Sequence, residues 1–103
     1  MKTIWDPLAK ESFRQIARYI NMRFGREARE NFIQIVRDTE NTLKHNPNIG
    51  FVDPLFANRS VAYRSVIING RNKMVYFINS EVIYIAAFWD TRREPKNQAE
   101  QVE

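Results

Sequence analysis

The chain reads as one α+β domain of order β-α-α-β-β-β, an antiparallel sheet with an N-terminal helical hairpin packed on one face. Three observations predict this. Residues 61–93 contain three runs dense in Val, Ile, Tyr, Phe and Trp, separated by Asn69-Gly70 and Asn79-Ser80. Such residues suit a pleated, half-buried surface, and Asn-Gly accepts the positive φ of a tight hairpin turn. Ahead of them, two stretches repeat apolar residues at helical spacing with one glycine between them. A length of 103 residues leaves room for a single core.

Lys2 to Trp5 is short and β-compatible, and it stops at Asp6-Pro7, an N-cap residue followed by proline at the first helical position. Leu8, Phe13, Ile16, Ala17, Ile20 and Phe24 then recur on one helical face, with Lys10, Glu11, Arg14 and Arg18 on the other. Gly25 ends this helix, because a residue without Cβ enters the left-handed region at no steric cost. The second helix turns Ala28, Phe32, Ile35, Val36, Thr39 and Leu43 inward and is stopped by Asn46-Pro47. Two amphipathic helices joined by one glycine form an antiparallel hairpin, and its apolar face has the sheet to cover. Residues 48–58 hold Gly50, Asp53 and Pro54 among scattered apolar residues and read as an ordered loop under one sheet edge. The first strand is expected to pair with one strand of the meander. The domain is expected to span residues 1–95, followed by a polar tail over 96–103.

Composition excludes several classes. A hydrophobic content of 44% with 13% aromatic residues is too high for disorder over most of the length. With no cysteine, neither disulfides nor thiolate metal sites are available. The three glycines make no phosphate-cradling loop, and no cluster has metal-ligand spacing, so no metal and no cofactor are expected. The longest apolar run, Val82 to Trp89, is far short of the ~20 residues that span a bilayer. No secretory pattern precedes Asp6-Pro7, so a cytoplasmic protein with no membrane partner is expected.

Charge is the more informative property. A net charge of +4 and a pI near 9.7 suit an acidic partner, nucleic acid or protein, and equally suit plain solubility. The distribution is one-sided: Arg59, Arg64, Arg71 and Lys73 lie in a stretch with no acid between Asp53 and Glu81. A sheet face that collects cations is a plausible phosphate-facing surface. Arg64 and Lys73 also alternate with apolar residues, as the solvent face of an ordinary antiparallel sheet would. Tyr63, Tyr76, Tyr84 and Trp89 fit either base stacking or a core. His45, in the last turn of the second helix, reads as a capping residue that complements the helix dipole.

Several local signatures occur in order along the chain. They are Trp5 before a proline-started helix, Phe24-Gly25, Leu43 with Asn46-Pro47 and Gly50, Ala62-Tyr63-Arg64, Lys73-Met74-Val75-Tyr76, and Phe88 through Pro95. Together they resemble the ParE/RelE superfamily of bacterial toxins from type II toxin–antitoxin modules, the plasmid stabilisation proteins, over about Ile4 to Pro95. The resemblance implies a growth inhibitor neutralised by a cognate antitoxin, typically acidic and folding over the toxin's apolar grooves, with oligomers formed through the antitoxin. It implies one of two targets. RelE-like members are endoribonucleases that cleave mRNA on the ribosome, and ParE-like members block DNA gyrase without a nuclease site. For the nuclease branch the resemblance puts Lys73 and Arg93 at catalytic positions and Arg64 at a further basic position on the preceding strand. Cations there would stabilise charge building on the phosphate. No Tyr or His follows Arg93, a departure from the nuclease pattern that favours the ParE-like branch.

Overall fold

A computed structural model describes residues 1–91 of the chain. Strand β1 (Lys2–Trp5) leads into helix α1 (Pro7–Phe24), and α2 (Arg26–His45) follows directly. Then come a short strand β2 (Phe51–Val52), one 3-10 turn (Pro54–Phe56), and strands β3 (Arg64–Ile67), β4 (Asn72–Asn79) and β5 (Val82–Asp90). The helical boundaries fall where local chemistry puts them. Asp6 sits at the N-cap with extended backbone and Pro7 at the first helical position, although the Asp6 carboxylate makes no capping hydrogen bond. Gly25 separates the helices at φ 100 and ψ 174, a region that only glycine enters freely. His45 Nδ1 lies 3.0 Å from the Asn41 carbonyl oxygen, in the last turn of α2.

The five strands form one sheet in the order β1-β5-β4-β3-β2. The expected wholly antiparallel sheet is corrected at one edge: β1 runs parallel to β5, with Ile4 opposite Tyr84. The meander itself is antiparallel, β3 to β4 to β5. Both of its turns use positive φ, at Gly70 (83) in the first and at Ser80 (52) and Glu81 (66) in the second. Asn69 supports the first turn by accepting from the Arg71 and Asn72 amides. The stretch expected as a loop, 48–58, supplies the edge strand β2 and the 3-10 turn.

Each face of the sheet has its own core. The helices cover one: α1 lies along β5 and α2 reaches β1. There Trp5, Phe13, Phe32 and Phe88 pack with ring centroids 5.1–5.6 Å apart, joining β1, α1, α2 and β5. Ser12, buried in α1, donates to the Leu8 carbonyl oxygen (2.8 Å) and accepts from the Phe88 amide (2.9 Å), binding helix to strand. Residues 53–63 cover part of the other face, where Phe56 and Tyr63 pack with Val75, Ala86, Ala87 and Trp89.

A β-bulge decides which side chains reach which core. The register of β4 on β5 pairs Val75 with Ala87 and Tyr76 with Ile85, leaving Ala86 as an extra residue. Before the bulge Ile83 and Ile85 face the helices; after it Phe88 does, and Trp89 is sent to the opposite core.

Candidate functional site

The sheet places Arg64 and Lys73 on different faces. Arg64 pairs with Tyr76, which belongs to the helix-side core. Lys73, three residues before Tyr76 on an unbroken strand, points the other way. The expectation of one open sheet face carrying both cations is therefore corrected. Arg64 spends its guanidinium on the turn after α2, donating to the Gly50 carbonyl oxygen at 2.7 Å.

Lys73 is only 6% exposed. Its ammonium lies 2.7 Å from Asp53 Oδ2 and 5.7 Å from the centre of the Phe56 ring. Asp53, 3% exposed, also accepts from Ser65 Oγ (2.7 Å) and, through Oδ1, from the Leu55 amide (3.1 Å). Burial by itself raises the Asp53 pKa. The hydrogen bonds from Lys73, Ser65 and Leu55, with the Lys73 charge, outweigh it and hold the carboxyl below its ordinary value. Local sequence hides this arrangement, because Asp53 is twenty residues away and approaches only when the 3-10 turn folds onto β3 and β4.

Arg93, the third cation that the resemblance singles out, lies outside the described residues, as does the polar tail. Among the aromatic residues, Tyr63, Tyr76 and Trp89 are buried, as a core role requires. Tyr84 is partly exposed and stacks on Phe77 with centroids 5.1 Å apart. Among the described residues no group of three or more His, Cys, Asp or Glu is placed to hold a metal ion. No described helix is long and apolar enough to cross a membrane.

Among the described residues, a concave feature lies on the helix side. A groove of about 660 Å³ opens between the helical hairpin and the β3–β4 end of the sheet. Ile20 and Phe32 lie deep in it, Tyr19, Phe24 and Ile35 form its rim, and Arg71 and Asp90 stand at the sheet end. Phe24 and Ile35, expected to face inward, are instead 56% and 36% exposed, and Tyr19 is 51% exposed. Helical periodicity marks these positions as apolar, but the hairpin overhangs the sheet here and leaves them uncovered.

A family model described as the ParE toxin of the type II toxin–antitoxin system parDE matches residues 3–95. The chain belongs to the ParE toxin family. Solved structures agree in fold. A chain of the chromosomal ParDE system from P. aeruginosa superposes with a TM-score of 0.70 at 15% identity, covering 87% of this chain and 95% of that one. YoeB from Staphylococcus aureus, solved as a dimer, gives a TM-score of 0.59 at 18% identity, covering 84% and 92%. No curated protein sequence matches. The toxin thus carries the α+β architecture of both relatives on a sequence far from either.

Proposed function

We propose that this ParE-family toxin arrests growth by binding DNA gyrase, without chemistry of its own. We further propose that its cognate antitoxin silences it by laying an amphipathic segment into the groove under the helical hairpin. The observation that carries the first part is the condition of Lys73. A general base or phosphate-binding cation has to reach its substrate within hydrogen-bond distance. The Lys73 ammonium is buried, held by Asp53 and capped by Phe56, while Arg64 serves the turn after α2 on the opposite face. A RelE-like nuclease acting through Lys73, Arg93 and Arg64 is the alternative, and it requires Lys73 to be released. The groove supports the second part, since its rim exposes Tyr19, Phe24 and Ile35 in the manner of a helix-accepting surface.

The test is to induce the toxin in bacteria that lack the antitoxin and to follow methionine and thymidine incorporation separately. Thymidine incorporation is expected to fall first, and the purified toxin is expected to block supercoiling by gyrase. Early loss of methionine incorporation that Arg93→Ala abolishes would overturn this in favour of the nuclease. For the groove, Phe24→Asp is expected to weaken antitoxin binding about tenfold or more, as loss of an interface anchor does, with toxicity retained. Unchanged affinity would remove the groove from the interface.

A further inference from the structure

Residues 53–63 are attached to the sheet in an uneven way. Their backbone hydrogen bonds close on the segment itself: Phe56 to Asp53, Ala57 to Pro54, Arg59 to Phe56, and Asp53 to Tyr63. Pro54, Ala57, Asn58, Ser60 and Ala62 are exposed. Two contacts among the described residues join the segment to the sheet. Phe56 and Tyr63 plug a hollow floored by Val75, Ala86 and Ala87 and walled by Trp89. The Asp53 carboxylate takes donors from two different strands, Ser65 of β3 and Lys73 of β4.

We propose that residues 53–63 are a latched cover over a cationic, aromatic-lined hollow, and that the Asp53 carboxylate is its latch. One carboxylate is the meeting point of donors from β3, β4 and the Leu55 amide. Losing it leaves the Lys73 ammonium buried beside the Phe56 ring without its counter-charge. An uncompensated buried charge is strongly unfavourable, and the route that relieves it is to lift the cover and let water reach Nζ. The helix-side core is not part of this move. Its residues lie on the other side of the sheet and are closed by α1 and α2. The toxin therefore opens here as a local unit, below the free energy of global unfolding. Opened, Lys73 stands beside Trp89, its partner on β5, a cation next to an aromatic face, which is the combination that holds single-stranded nucleic acid. Closed, it offers an incoming phosphate nothing. The cover is independent of which target the toxin has.

Acylation of lysine amines by acetic anhydride, read by mass spectrometry and compared at several pH values so that the fraction of neutral amine is accounted for, reports Nζ access. In the wild-type toxin Lys73 is expected to react about a hundredfold more slowly than exposed Lys10, in line with an opening that costs a few kcal/mol. In Asp53→Asn the Lys73 rate is expected to rise at least about tenfold, while the Val36 and Leu43 amides keep their protection from hydrogen exchange. Phe56→Ala, which removes the plug without touching a charge, is expected to produce the same separation should Asp53→Asn fail to fold. Lys73 reacting as fast as Lys10 in the wild type would overturn the cover. Exposure of Lys73 together with exchange of the Val36 and Leu43 amides, in whichever variant folds, would overturn its independence from the helix-side core.

Discussion

Gly50→Ala tests how the turn after α2 is seated. Gly50 lies outside the left-handed region, so closeness alone demands glycine there. An added Cβ would sit 2.7 Å from the Tyr76 hydroxyl, 2.8 Å from its ring Cε1 and 2.9 Å from the Ser65 carbonyl oxygen. The last two neighbours are a fully buried ring and a strand backbone, and neither swings aside. Overpacking of this kind costs about 1–3 kcal/mol, and rigid neighbours put it at the upper end. Tyr76→Phe is the natural companion, because the hydroxyl accepts from the Gly50 amide (3.0 Å) and donates to the Pro47 carbonyl oxygen (2.7 Å). Leaving that buried amide without an acceptor costs roughly 1–3 kcal/mol. Either single change should lower the melting temperature by about 5–20 °C. In the double variant the nearest clash is gone but those with Cε1 and Ser65 remain, so the combined loss should fall short of the sum by roughly 0.5–1.5 kcal/mol. Urea unfolding of the four proteins supplies the cycle. Gly50→Ala within about 0.5 kcal/mol of the wild type, or an equal cost in both backgrounds, would refute the seating described.

Two further outcomes follow from buried polar groups. Because the folded Asp53 carboxyl has a lowered pKa, its contribution is complete above about pH 5 and is lost as the pH falls below about 4. The stability difference between the wild type and the paired Asp53→Asn, Lys73→Met protein should therefore shift against the wild type on acidification, read by urea unfolding from pH 7 to pH 3. A shift in its favour would contradict the ion pair. Ser12→Ala strips the acceptor from the buried Phe88 amide and should cost about 1–3 kcal/mol, with faster hydrogen exchange at Phe88. An unchanged Phe88 exchange rate would mean that Ser12 does not bind helix to strand.

The helical hairpin was legible because its determinants are local. Asp6-Pro7, Gly25 and Asn46-Pro47 each act within a few residues of the boundary they set. The same holds for the Asn69-Gly70 turn, where one side chain and one permissive backbone close the loop. The direction of β1 was not legible. A four-residue strand carries no mark of parallel or antiparallel pairing, and its orientation is decided by Thr3 and Trp5 meeting Glu40 of α2 as Trp5 packs at a tilt against Phe88.

The candidate site divides the same way. That Arg64 and Lys73 are sheet cations within a basic stretch is visible in the residues themselves. That they face apart follows from strand alternation once the register is known. That Lys73 is buried and paired is not visible, because burial depends on a segment twenty residues earlier folding over it.

The sequence by itself determined the helices, the turns, the three meander strands and the family, since propensity, capping and hydrophobic period act over a few residues at a time. Only the tertiary structure decided which face each cation took, where Ala86 bulges to send Trp89 into the second core, and that Phe24 and Ile35 rim an open groove. Those outcomes depend on contacts between residues far apart in the chain, and no local pattern carries them.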